Sequence, residues 1–214
     1  REIEQADLAK IWAVTNLKSK RRPDYESKGK KPLRLADFFC GCGGLSLGVT
    51  NSLNAVGFDV NYSIACDISK DSLDVYNANF SPDFLIHENA ANLVRRKGLG
   101  TTSGITENNL DQIELSSEIC AHEGKIDVFV AGPPCEGNSN LNNKTRRIDA
   151  RNNHYVTAVM IAVKLRAEII IVENVQTVTR AKQNVVEQSK VILRQAGYSI
   201  ENIEYKLKAE EFNV

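Results

Sequence analysis

"LRLADFFCGCGGLSLG", residues 33–48, limits the possible folds more than any other stretch. Residues 33–39 read as a buried strand. Glycines follow at once, and apolar residues at helical spacing then predict a helix over 45–55. Glycine allows a sharp turn and a close approach of backbone to a ligand, so strand, turn and helix form one βα unit. The alternation continues, with strands expected at 60–66, 84–86, 126–131, 168–172 and 198–207. Helices are expected at 3–17, 70–79, 110–120, 151–166 and 184–196, and "RRKGLGTTSGITENN" (95–109) reads as loop. This pattern predicts an α/β fold with a doubly wound, mostly parallel sheet.

In such sheets ligands bind at the carboxyl ends of the strands. The residues able to do chemistry stand there. Gly41-Cys42-Gly43-Gly44 follow the first strand and Asp67 the second, while Pro133-Pro134-Cys135 and Glu173-Asn174 close two later ones. The helix that opens after the glycines offers unpaired N–H groups to a polar or anionic group. Asp67, 24 residues beyond Gly43, can accept from both hydroxyls of a ribose, which points to an adenosine-containing cofactor. Alternatively it caps the helix beginning in "ISKDS". Cys135 is either a buried structural cysteine or, in its polar Gly/Pro/Asn loop, an exposed nucleophile. Glu173 ends the apolar run "IIIVEN", where partial burial is expected to suit it to proton donation near neutrality. Together they suit a reaction in which a thiol attacks a ring carbon while an acid stabilises or protonates a ring nitrogen.

The 27 basic and 27 acidic residues cancel, so only local charge bears on nucleic acid. Between Lys18 and Arg34 eight basic residues face two acidic ones, which makes this stretch a solvated tether or a phosphate-contacting arm. Lys144, Arg146, Arg147 and Arg151 form a second basic cluster, broken by Asp149. The five cysteines, 40, 42, 66, 120 and 135, include no CxxC pair. They indicate neither a metal site nor a disulfide framework, and fit a reducing intracellular setting. No apolar run reaches the length of a membrane span.

Three motifs, "DFFCGCGGLSLG", "GPPCEGNSN" and "VENV", stand in an order and spacing that resembles the C5 DNA cytosine methyltransferases, with 38 residues from Cys135 to Glu173. The resemblance runs from Leu33 to Val214. It implies a Rossmann-like, S-adenosylmethionine-dependent methyltransferase domain over 33–214, behind an N-terminal helix and basic linker over 1–32. The cofactor would be S-adenosylmethionine and the product S-adenosylhomocysteine. Phe39 matches the aromatic against adenine. Gly41, Gly43 and Gly44 match the methionine side, with Asp37 and Leu45 in the same motif, and Asp67 matches the acid on the ribose. Ile68, Asn89 and Pro134 also fall on the cofactor side. Cys135 resembles the nucleophile that adds to C6 of cytosine, and Glu173 the acid that holds and protonates N3. The partner would be duplex DNA with its target base flipped out, and Ser139, Lys144, Arg146, Arg147 and Arg151 would contact the DNA.

The chain departs from the family at several positions. Glu136 stands where Gln is usual, and Asn138 where an aromatic or His is commoner. Ile68 replaces a bulkier cover over adenine. Asn89 replaces an Asp near the adenine amino group, which its amide oxygen can still accept. "RNNHY" brings His154 near the cofactor by resemblance, although a helix-start surface histidine explains it as well. The sequence ends at "AEEFNV", where the family continues into a Gln- and Arg-bearing segment and a target recognition domain. The expectation is therefore one part of a split or shortened enzyme, not sequence-specific by itself, with the missing part on a second polypeptide or a further segment. A cytoplasmic, bacterial setting is expected, with restriction–modification, another defence role or regulation left open. A transfer-RNA methyltransferase and a non-catalytic cofactor- or DNA-binding subunit are the alternatives.

Overall fold

The computed structural model describes residues 31–96, 113–134, 153–174 and 184–200. In chain order these hold β1 (Leu33–Phe38), α1 (Gly44–Ala55), β2 (Val60–Asp67), α2 (Lys70–Phe80), β3 (Phe84–His87) and a 3₁₀ turn (Ala90–Leu93). Then follow β4 (Val94–Arg96), β5 (Ile113–Leu115), the short α3 (Ser117–Cys120), β6 (Val128–Ala131), α4 (Asn153–Lys164), β7 (Ile169–Val172) and α5 (Val185–Gln195). Five strands pair in parallel in the order β3-β2-β1-β6-β7. The order runs outward from β1 in both directions, so β1 and β6 flank the switch point where a doubly wound sheet opens a crevice.

Side chains alternate across the sheet as strand geometry requires. Leu35, Val128 and Val130 face Leu45, Val49 and Leu53 of α1, and Ala65 packs with Leu73 and Tyr76 of α2. Ala36, Phe38, Phe129 and Ala131 point the other way into the main core, which contains Val159 and Ile161 of α4 and Ile192 of α5. Phe38 and Phe129 stack there with centroids 5.2 Å apart. At the amino edge of the sheet, Arg34 Nε and Nη2 donate to the two oxygens of Asp127 at 3.0 and 2.9 Å, and the Arg34 N–H donates to Oδ2 at 2.6 Å.

The five parallel strands and the helices between them agree with the expected α/β alternation. Two expectations between β3 and β6 do not hold. Arg95 and Arg96, expected as loop, belong to the strand Val94–Arg96, which pairs antiparallel with Ile113–Leu115, expected as helix. Only Ser117–Cys120 is helical there. Val94 and Ile113 are both buried in the main core. Three residues per strand are too few for a two-residue period to show in sequence, so a long-range contact decides the state. No strand is present over 198–200, the described part of the segment expected as strand at 198–207. The helix expected at 3–17 lies outside the described residues.

Candidate active site

The chain leaves β1 through an abrupt turn. Phe39 takes a left-handed φ of 56°, rare for an aromatic, and Gly41 and Gly43 follow at 50° and 92°. The Gly43 N–H donates to the Cys40 carbonyl at 2.9 Å, closing the turn. Gly43 is required twice over, by its φ and because a Cβ there would collide with the Phe80 ring. It is the N-cap of α1, with no side-chain cap bond and no acid in the first turn. The amino end of a twelve-residue helix is thus left for a ligand anion.

Asp67 ends β2 and ties two turns together. Its Oδ2 accepts from the Gly41 N–H and its Oδ1 from the Ser69 N–H, each at 2.8 Å. The cap of α2 is Ser69, whose hydroxyl accepts from the Ser72 N–H. Helix capping therefore does not account for Asp67. Each of its oxygens keeps a second lone pair.

A cleft of about 200 Å³ opens at this edge. Phe39, Asp67, Ile68, Asn89 and Pro134 all line it, so five of the expected cofactor residues meet there. Ile68 is 68% exposed, an apolar side chain left uncovered at the rim. Its carbonyl is held by His87 Nε2 at 2.9 Å. Gly41 adjoins the cleft through its bond to Asp67. Across β6, Glu173 Oε2 lies 3.9 Å from where a Cβ on Gly132 would be, next to the Phe39 carbonyl. Asn174 Nδ2 donates to the Pro133 carbonyl at 3.1 Å and so ties the end of β7 to the proline pair. Glu173 is exposed rather than partly buried as expected, because it lies beyond Ala131–Val172, the last pair between β6 and β7.

Two residues of the glycine motif sit elsewhere. Leu45 packs in the apolar layer between α1 and the sheet. Asp37 is 1% exposed, and its Oδ2 accepts from Ser46 Oγ at 2.7 Å, itself 2.8 Å from the Tyr76 hydroxyl. Asp37 Oδ1 is buried with no hydrogen-bond partner. Burial pushes the Asp37 carboxyl up to about 7, with the Ser46 bond opposing and the Asp67 charge adding to the rise. Burial likewise pushes the Cys66 thiol up to about 12 and raises Cys40, so neither is a nucleophile at neutral pH. Cys135, Ser139, Lys144, Arg146, Arg147 and Arg151 lie outside the described residues; Cys135 directly follows Pro134 in sequence.

Sequence reasoning missed or undervalued five residues of the cleft, Cys66 and Ala90 among them. His154, in the first turn of α4, lines it and meets the Phe39 ring edge-on with centroids 5.5 Å apart. Gly132 and Glu88 line it too. An acid closing a strand was the signal that marked Asp67, and Glu88 carries the same signal directly after β3. A larger hollow of about 490 Å³ lies between the end of α4 and residues 195–198 and contains none of the expected site residues.

The C-5 cytosine-specific DNA methylase family matches this chain over residues 33–214. The chain belongs to that family. The Type II methyltransferase M1.BsuMI of Bacillus subtilis is 34% identical over the whole chain, which covers 47% of that protein. The Type II methyltransferase M.AgeI of Thalassovita gelatinovora is 29% identical over 67% of the chain and 28% of its own length. The chain therefore spans half or less of the length of these relatives. The Pro133-Pro134 segment and the Glu173 strand end, two of the features read from the sequence, meet through Asn174.

Proposed function

We propose that this chain supplies the cofactor site and the nucleophile of a DNA cytosine-5 methyltransferase that uses S-adenosylmethionine. The observation that carries the reading is the convergence of Phe39, Asp67, Pro134 and Glu173 at the switch point of the sheet, in a chain of this family. The residues fit the cofactor. The Phe39 ring and the uncovered Ile68 offer apolar contact to a base, the spare lone pairs of Asp67 suit ribose hydroxyls, and the uncapped start of α1 suits a carboxylate. Asp37 stays behind the glycine turn, bonded to Ser46 of α1 and out of the cleft. When bound, this cofactor supplies an electrophilic methyl group.

The protein residues then act on a cytosine that has left the duplex stack. The Cys135 thiolate forms a bond to C6 while Glu173 gives a proton to N3, so negative charge does not build up on the ring. The electron-rich C5 takes the methyl group. Water then takes the C5 proton as the C5–C6 double bond re-forms, Cys135 leaves as thiolate, and the N3 proton returns to Glu173. Pro133 and Pro134, held by Asn174, stiffen the approach to the nucleophile. Ser139, Lys144, Arg146, Arg147 and Arg151 hold the DNA, chiefly through its phosphates. Since the relatives are two or more times as long, we assign the reading of DNA sequence to segments outside the matched part, on the same or a second polypeptide. We place the enzyme in the bacterial cytoplasm beside its substrate, in a restriction–modification role. Among the described residues no helix is long and apolar enough to cross a membrane.

The test is covalent trapping by the full-length protein on duplex DNA containing 5-fluorocytosine, whose C5 fluorine blocks the final elimination. Wild type should give a denaturation-resistant adduct and Cys135→Ser none. If wild type traps no better than Cys135→Ser, the assignment of the nucleophile is wrong.

A further inference from the structure

Asn89 and Glu88 both line the cleft at the end of β3. Asn89 caps the 3₁₀ turn, and its Oδ1 accepts from the Ala91 N–H at 3.0 Å. That bond fixes which way the amide points and commits the oxygen to the backbone. It leaves the Asn89 Nδ2 hydrogens as donors. Glu88 behaves oppositely. Its Oε1 accepts from the Asn89 N–H at 2.6 Å and from Asn92 Nδ2 at 2.9 Å, while Oε2 has no hydrogen bond among the described residues. These two bonds hold the Glu88 carboxyl below its usual range, so it is an ionised acceptor at neutral pH. The strand end therefore presents a fixed acceptor and a fixed donor on consecutive residues, beside the apolar Ile68.

From this we infer that Glu88 determines base specificity in the cofactor cleft, its Oε2 accepting from an exocyclic amino group while Asn89 Nδ2 donates to a neighbouring ring nitrogen. The inference rests on the cofactor reading above and deepens it. It exchanges the roles expected from sequence, in which the Asn89 oxygen would accept from the amino group. A donor amino group beside an acceptor nitrogen is the edge of adenine, whereas hypoxanthine offers an acceptor oxygen beside an N–H. Glu88 and Asn89 would then reject the deaminated base, because it leaves like groups facing each other.

The experiment is calorimetric titration of the full-length protein with S-adenosylhomocysteine and with S-inosylhomocysteine, its deaminated counterpart. Wild type should bind the inosyl compound about 10-fold or more weakly, as expected for one charge-assisted hydrogen bond lost and one clash gained. In Glu88→Gln, whose amide can both donate and accept, that ratio should fall below about 3-fold, with S-adenosylhomocysteine itself about 10-fold weaker. A Glu88→Gln protein that keeps the wild-type ratio overturns the inference, as does a wild type that binds both compounds equally; in both cases the cofactor reading stands. A wild type that binds neither compound overturns the cofactor reading and the inference with it. Glu88 is exposed, so the substitution leaves the core intact, and a matching melting temperature checks this.

Discussion

Asp37 shows how one residue can belong to a site motif without lining the site. It lies in the motif between β1 and α1, yet its carboxyl faces Ser46 and Tyr76 inside the protein. The folded carboxyl titrates near 7, far above the unfolded value of about 3.9. The folded state therefore holds a proton that the unfolded state has lost between those limits. The stability this gives is complete below about pH 4 and falls as pH rises to about 7, by up to about 1.4 kcal/mol for each pH unit. Above that it is flat. Asp37→Asn removes the titration, so urea unfolding of parent and variant should diverge across this window, with the variant gaining relative to the parent as pH rises. Parallel profiles would mean that Asp37 does not hold the proton. Gly43 is the opposite kind of residue, since its turn geometry and the Phe80 ring leave no alternative side chain.

At the scale of elements, β1 is the hub. It pairs with β2 and β6, and its carboxyl end feeds the cleft while its amino end is clamped to β6 by Arg34 and Asp127. The clamp is bidentate and only partly exposed, so it is worth more than an ordinary surface ion pair. Asp127→Asn should cost about 1–2 kcal/mol at neutral pH. Arg34 holds the Asp127 carboxyl below the usual carboxylate range. Its contribution is thus present above about pH 4 and is lost as pH falls through the folded value. Denaturation at pH 7 and at pH 3 checks this, because the gap between parent and variant should shrink at the lower pH. The helices and long strands were legible in the sequence because each carries several turns or pleats of periodic apolar residues. The β4–β5 pair was not, because its state rests on two buried side chains brought together from segments nineteen or so residues apart.

For the molecule as a whole, the parallel topology brings four strand ends to one edge, and the proposed chemistry depends on that gathering. Glu173 follows β7 and stands beside Gly132, which lines the cleft after β6 together with Pro134, and Asn174 ties the two strand ends together. Replacing Glu173 by Gln keeps the shape and removes the proton. In the full-length protein, cofactor affinity should stay within about 2-fold and turnover should fall about 100-fold or more. A loss of cofactor binding instead would assign Glu173 to the cofactor rather than to the base.

The sequence by itself determined the βα order, the parallel sheet and which residues stand at its carboxyl edge. Those follow from local periodicity and from the rule that parallel strands share one functional end. Only the tertiary structure decided which of those residues face the cleft. It turned Asp37 and Leu45 inward, brought His154 against Phe39, committed the Asn89 oxygen to a backbone N–H and left a Glu88 oxygen open. Each outcome depends on which neighbour satisfies a polar or apolar group, and those neighbours are set by packing between elements that sequence spacing does not encode.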